Sequence, residues 1–395
     1  MELHNDYLVN RTVSPILILS LILLFSACGD DDKGGGICIE GVGLSHPSPT
    51  CSTDDVCTDL VPTYAMFDPP ITHIDTASDE PSCGTSQRGL SFGRPSYNDG
   101  AARQWEDADG IIRYWCEVRP MGTSIASPRP LVIWVTGSSG NADTLYDTTS
   151  LRGKQQTFDI SGDPARPGFI LVSIQPRNLH WPTVDRQDGT KSEIYYRDFY
   201  SPSTNPDIAF VDQIVDSLVA EGVVDRARIY MMGWSNGARF SALYSIARHE
   251  RATPSGNYVA AVANFSGGNP YAAFDDATPA CALSELPSSS IPFFMISRRC
   301  DAVACDEKTD LKIVPGNVVE PWIKSLRDEI GAEVTWMRID ALGNLSSSCS
   351  SAALCTKSEA LIGHFRWPDG IDDMGGQDHE PAMLQFLADH DIRPN

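Results

Sequence analysis

Gly233-Trp234-Ser235-Asn236-Gly237 is the stretch on which the reading of this chain turns. The apolar run Arg228-Ile229-Tyr230-Met231-Met232 leads into it, and a helical stretch over 238–250 leads out. A strand that breaks on Gly-x-Ser-x-Gly and resumes as a helix makes a tight turn. The residues beside the serine must then be small and tolerate unusual φ/ψ. The turn lifts the serine to the top of a sheet, beside a helix N-terminus. Free N–H groups and positive dipole at that end favour a developing anion. A chance Gly/Ser turn would imply nothing. The strand before and the helix after favour an exposed nucleophile.

A serine is a poor nucleophile at neutral pH. It needs an adjacent base, usually histidine, and a third group that holds the tautomer of that histidine. In α/β-hydrolases, whose nucleophile elbow this pentapeptide resembles, the chain order is serine, acid, histidine. The acid and the histidine are therefore expected after residue 235. For the acid, the apolar strand predicted over 291–297 runs into Arg298-Arg299-Cys300-Asp301. Asp301 lies just past the carboxyl end of that strand, with Asp306 and Asp310 as alternatives in the same loop. For the base, His364 lies in the loop-like Gly363-His364-Phe365-Arg366-Trp367-Pro368, and His379 lies immediately before the last helix. His249 ends the helix of the elbow itself, and His390 falls near the last turn of the closing helix, where a dipole partner is the ordinary explanation. For the oxyanion, one donor is the N–H of Asn236. The second comes from the loop Thr136-Gly137-Ser138-Ser139-Gly140, with Ser138 ahead of Ser139. That loop lacks the Gly-Lys-Ser/Thr of a phosphate loop.

The totals fit a globular protein of an oxidising compartment. The chain has 395 residues, 42% of them hydrophobic and 9% aromatic, which are globular values. A formal charge of −22 leaves no basic patch for phosphates, so no nucleic-acid partner is expected. The same charge disfavours electrostatic attachment to anionic membranes. Eleven cysteines point to an oxidising compartment. The apolar run over 16–25, broken by Ser20, is too short to span a bilayer but fits the core of a signal peptide. Phe25-Ser26-Ala27-Cys28 then resembles a bacterial lipobox, which implies cleavage after residue 27 and a lipid on Cys28. Ten cysteines would remain, an even number open to disulfide pairing. The expected location is the cell envelope, lipid-anchored, with plain secretion as the alternative.

Residues 28–87 read as a tether followed by a disulfide-stapled extension. The segment 30–36 is charged and glycine-rich, and 38–83 holds four cysteines and no sustained periodicity. No C-x-x-C pair suggests a metal there. From 88 to 395 an α/β rhythm sets in. Strands are predicted over 103–106, 111–118, 131–135, 169–174, 228–232, 258–265, 291–297 and 333–339, and helices over 207–221, 318–330 and 381–390. Asp107-Ala108-Asp109-Gly110 reads as a hairpin turn. Such alternation implies a mostly parallel sheet with helices on both faces and a ligand site at the strand carboxyl ends.

From about residue 128 to 391 the chain resembles the secreted esterase branch of α/β-hydrolases that includes polyhydroxybutyrate depolymerases and feruloyl or acetylxylan esterases. The resemblance rests on Pro130-Leu131-Val132-Ile133-Trp134-Val135-Thr136-Gly137, on Asp225-Arg226-Ala227-Arg228-Ile229-Tyr230 running into the pentapeptide, on Asp301, and on Gly363-His364 followed by Trp367-Pro368. It implies an α/β-hydrolase fold and a triad of Ser235, Asp301 and His364, since the histidine in that branch is typically followed by Trp-Pro. It further implies carboxylic ester hydrolysis without metal or organic cofactor. A serine peptidase of the same fold and a non-catalytic surface-binding lipoprotein are the rival readings. The chain departs from the branch at Thr136-Gly137 (usually His-Gly), at the Ser297-Arg298-Arg299-Cys300 lead-in to the acid, and at Ala238. Trp181, Trp234 and Trp367 are candidate substrate contacts, able to stack on an aromatic acyl group or a sugar. Packing in the core or at the rim is the plainer reading. Trp181, in a loop beyond a strand end, is the best placed of the three to touch substrate.

Overall fold

The computed structural model describes residues 79–85, 94–138, 140–177, 181, 205–271, 286–298, 301, 319–339, 363–371 and 376–392. The signal-like stretch, Cys28, most of the extension, Ser139, Asp306 and Asp310 lie outside these residues.

The strands are β1 (Ala101–Glu106), β2 (Ile112–Val118), β3 (Arg129–Val135), β4 (Ile170–Ile174), β5 (Val224–Trp234), β6 (Ala261–Phe265), β7 (Pro292–Arg298) and β8 (Glu333–Ile339). They form one sheet in the order β1-β2-β4-β3-β5-β6-β7-β8. β1 and β2 form an antiparallel hairpin, β2 pairs antiparallel with β4, and the ladders from β4 to β8 are parallel. The hairpin turns as its sequence predicts. Asp107 Oδ1 accepts from the N–H of Asp109 and of Ile111, each at 3.0 Å, and Gly110 takes φ 78°.

The helices are α1 (Thr144–Thr148), α2 (Leu151–Lys154), α3 (Pro206–Ala220), α4 (Asn236–Glu250), α5 (Val319–Ser325) and α6 (Glu380–Ala388). They cover both faces, and strand alternation decides which residues meet which helices. Leu131, Ile133 and Val135 of β3 join Ile229 and Met231 of β5 in a core with α3, α4 and α5. Val132, Trp134, Tyr230 and Met232 point the other way, into a core with Leu145 and Tyr146 of α1, Leu151 of α2, and Met383, Leu384 and Leu387 of α6. All seven residues of β3 are buried, as expected of a parallel strand covered on both sides. α3 starts on a cap: the Asn205 side chain accepts from the N–H of Asp207 and of Ile208.

Several boundaries differ from the sequence reading: the elbow strand, predicted over 228–232, runs over Val224–Trp234, and two further differences have a visible cause. The strand predicted from residue 258 begins at Ala261, because the Val259 N–H is already donated to the Arg248 carbonyl at the end of α4. The helix predicted over 318–330 is α-helical to Ser325, continues as a π-turn over Leu326–Ile330, and stops at Gly331 with φ 90°.

Among the described residues, Cys83 is disulfide-bonded to Cys116 of β2, which ties the end of the N-terminal extension to the sheet. Asp143 accepts from the Cys83 N–H at 2.7 Å beside it. These three side chains are the one grouping of potential metal ligands among the described residues, and two of them are consumed by the disulfide. No helix among the described residues is long and apolar enough to cross a membrane.

Candidate active site

Ser235 follows β5 directly and precedes α4. Its backbone sits at φ 56°, ψ −122°, a region that costs a residue with a Cβ about 1–3 kcal/mol. The flanking glycines are required by contact. A Cβ on Gly237 would lie 2.1 Å from the Thr136 carbonyl oxygen, and one on Gly233 would lie 2.5 Å from the Gly237 carbonyl oxygen. The elbow is thereby pressed against the loop after β3.

Ser235 Oγ lies 2.7 Å from His364 Nε2. His364 Nδ1 lies 3.0 Å from Asp301 Oδ1. Asp301 is fully buried and His364 nearly so, at 0% and 5% exposure, while Ser235 is half-buried and reachable. The three side chains thus form a chain of hydrogen-bond contacts that opens at the serine. His379 is elsewhere: its N–H donates to the Pro368 carbonyl at the entrance of α6. His249 and His390 face backbone carbonyls of Val259 and Phe386, at 2.8 and 2.7 Å.

His364 lies in helical residues, 363–365, and not in the loop its sequence suggests; the segment that carries it is fastened at several points. Trp234 Nε1 donates to the His364 carbonyl at 2.9 Å. Arg298 Nη2 donates to the Arg366 carbonyl at 3.2 Å. Trp367 Nε1 donates to Glu380 Oε1 at 2.7 Å, and that oxygen also accepts the Ser150 N–H at 2.8 Å. Lys154 Nζ donates to Glu380 Oε2 at 2.6 Å. Asp369 accepts from Arg94 Nε and from Ser150 Oγ, both at 2.8 Å. Burial pushes the Glu380 carboxyl up to about 7 against the opposing pull of Lys154. Burial also raises Asp369, against the pull of Arg94. Lys154 is raised in turn: burial lowers it, but Glu380 and Asp378 outweigh that.

The oxyanion candidates flank the serine. Asn236 opens α4, so its N–H has no acceptor within the helix. Its side-chain Nδ2 donates to the Trp181 carbonyl. Gly137 packs on Ser235: a Cβ there would lie 3.2 Å from Ser235 Cβ. Ser138 comes next and is exposed. The unusual Thr136 is fully buried, and its Oγ1 occupies the space a Cβ on Gly140 would need, 1.9 Å away. Threonine at 136 and glycine at 140 therefore accommodate each other.

Two of the tryptophans are not where a substrate platform requires them. Trp181 is 0% exposed and stacks on Phe240 of α4 at a centroid distance of 4.6 Å. Trp367 is also 0% exposed, edge-on to Trp134 and Phe265 at 6.1 and 5.8 Å. Both are core residues, because each ring is closed in by neighbouring aromatics that no local sequence pattern announces. Trp234 keeps 8% exposure, next to the serine. A further contact escaped the sequence reading: Ser266, immediately after β6, donates its Oγ–H to Asp301 Oδ2 and lies 3.1 Å from His364 Nδ1. Its one signal in the sequence is a serine ending the strand beside the elbow strand.

A parallel sheet with an antiparallel β2, helices on both faces, and a serine elbow succeeded in the chain by acid and histidine leave one description. This is the α/β-hydrolase fold. No family model matches the chain, and no curated protein matches it in sequence. Among solved structures it is similar to a thermostable esterase, at TM-score 0.44 and 18% identity over 74% of this chain and 64% of that one. It is also similar to Thermogutta terrifontis esterase 2 phosphorylated by paraoxon, at TM-score 0.39 and 11% identity over 60% of this chain and 82% of that one. A third is the Pyrococcus horikoshii acylaminoacyl peptidase, at TM-score 0.40 and 15% identity over 65% of this chain and 39% of that one. The chain thus spans under two thirds of the length of the thermostable esterase and of the peptidase. Likeness at this level adds no weight to the strand order and the site geometry.

Proposed function

We propose that the chain is a serine hydrolase of carboxylic esters, with Ser235 as nucleophile, His364 as base and Asp301 as the orienting acid. The observation that carries the reading is the unbroken contact chain from Ser235 Oγ to His364 Nε2 and from His364 Nδ1 to Asp301 Oδ1. His364 takes the Ser235 proton as Oγ attacks the ester carbonyl, then passes it to the leaving alcohol. Water repeats the cycle on the acyl-enzyme. The N–H groups of Asn236 and Ser138 meet the oxyanion. These steps use only side chains and backbone of this chain.

Within esters, the stretches shared with the depolymerase and feruloyl esterase branch support a polymeric or aromatic-acid ester as substrate. Trp234, beside the serine, is the remaining aromatic contact. The Cys83–Cys116 disulfide supports an oxidising, extracytoplasmic setting, in which we place the enzyme anchored through a lipid on Cys28 or secreted.

The test is a fluorophosphonate probe together with a panel of p-nitrophenyl esters, a feruloyl ester, polyhydroxybutyrate and aminoacyl amides. The expected result is covalent labelling of Ser235, ester turnover, and loss of both in Ser235→Ala with the fold unchanged. Amide turnover exceeding ester turnover would make it a peptidase. A folded protein that takes no probe and turns over nothing would make it a binding protein.

A further inference from the structure

Ser266 stands one step beyond the last paired residues of β5 and β6. Trp234 is in register with Phe265, so Ser235 and Ser266 are the next pair along the ladder. Ser266 is 1% exposed and holds φ 56°, the left-handed region that a residue with a Cβ seldom takes. Its N–H donates to the Ile296 carbonyl of β7 at 2.9 Å. Its hydroxyl sits between the acid and the histidine, donating to Asp301 Oδ2 and lying 3.1 Å from His364 Nδ1.

A serine hydroxyl has one proton and two lone pairs, and an ionised carboxylate has only acceptors. Three contacts join Ser266, Asp301 and His364: Ser266 Oγ to Asp301 Oδ2, Ser266 Oγ to His364 Nδ1, and His364 Nδ1 to Asp301 Oδ1. With the Ser266 proton given to Asp301, Oγ turns a lone pair to Nδ1. Every contact is then favourable only if Nδ1 carries the ring proton, shared between Asp301 Oδ1 and Ser266 Oγ. The other tautomer would set a bare Nδ1 against a carboxylate oxygen. Rescuing it would require Ser266 to abandon Asp301. The Nδ1–H tautomer leaves Nε2 as the acceptor facing Ser235, as a general base requires.

We infer that Ser266 is a positioning residue of the catalytic centre, locking His364 in the Nδ1–H tautomer by donating to Asp301 and accepting from the imidazole. The inference rests on the esterase reading for its kinetic consequence, but the tautomer it assigns is a property of the folded protein. Ser266 is buried and meets no substrate, so its loss acts on kcat and not on binding.

The experiment compares Ser266→Ala and Ser266→Gly with the wild-type full chain. Alanine keeps the Cβ and removes the hydroxyl. Glycine also relieves the left-handed backbone, so it separates a structural role from a chemical one. In both variants kcat is expected to fall about tenfold to a hundredfold, as for loss of a buried hydrogen bond to a charged group, with KM within about twofold. In ¹⁵N-histidine NMR above the imidazole titration, wild-type His364 is expected to be wholly Nδ1–H, and both variants are expected to show Nε2–H as well. Wild-type kcat in either variant, or a tautomer unchanged in both, would overturn the inference. If the wild type takes no fluorophosphonate and hydrolyses no ester, the esterase reading falls, while the nitrogen spectra still decide Ser266.

Discussion

Ser235 and Ser266 sit side by side at the ends of neighbouring strands, in the same register and at the same φ of 56°. Each donates its N–H to a carbonyl of the next strand over: Ser235 to Phe265 of β6, Ser266 to Ile296 of β7. Beyond the two serines the chain takes different courses. Ser235 runs into the fifteen-residue helix α4 and remains half-buried. Ser266 runs into Gly267-Gly268 and is sealed at 1% exposure. One hydroxyl faces Nε2 of His364 and the other faces Nδ1. The same backbone device therefore serves two chemical ends. The helix supplies oriented N–H groups and an open approach, which the proposed nucleophile needs and the buried Ser266 lacks.

The largest effect separating the two is expected from Ser235→Ala, which removes the nucleophile and lowers kcat by about 10⁴-fold or more. Ester turnover and probe labelling read it. Asp301→Asn comes next, at about 10⁴-fold in kcat, because an amide in place of the acid stabilises the wrong tautomer. If Ser266 acts through the Asp301–His364 pair, then adding Ser266→Ala to Asp301→Asn costs little further. Full additivity of the two losses would separate Ser266 from the acid.

Cys83→Ser is expected to cost about 3–4 kcal/mol of stability by opening a loop of separation 33. In thermal melts Tm falls while kcat of the folded fraction is retained, which leaves the contrast between the serines intact. Glu380 carries a pH effect of similar size. Its carboxyl is raised by burial to about 7 in the folded protein from an ordinary 4.5. The folded state then holds a proton that the unfolded state has released. Stability from this group is full below about pH 4.5 and is lost as pH rises through about 7, by about 3 kcal/mol. Denaturant midpoints across that window are expected to fall for the wild type and to flatten for Glu380→Gln. A flat wild-type profile would refute it. Smallest of the set is the tenfold-to-hundredfold effect assigned to Ser266.

The fold was readable because strand alternation and helical stripes are local signals, and each buried-type strand named from the sequence lies in the sheet. Asp301 and the Ser235 elbow were readable because both sit at strand carboxyl ends, where an α/β sheet presents chemistry. Choosing His364 over His379 needed the resemblance, since either histidine can precede the last helix. Ser266 was not readable: a serine before two glycines looks like any turn, and its role exists only because β6 lies beside β5. The burial of Trp181 and Trp367 was hidden for a related reason. Whether a loop aromatic faces solvent depends on rings distant in sequence, such as Phe240 for Trp181 and Trp134 for Trp367.

The fastening of the segment that carries His364 also defines where the folded unit begins. Arg94 lies ahead of the first strand of the sheet, yet its side chain is buried against Asp369, 275 residues later. A chain started at residue 95 keeps every described strand together with Ser235, Asp301 and His364. It also leaves Asp369 buried without its cation, five residues from His364, at a cost of about 3–5 kcal/mol. For expression, truncation or fusion, the folded unit thus reaches back past the edge of the sheet, to the Arg94 ion pair and, through the disulfide, to Cys83.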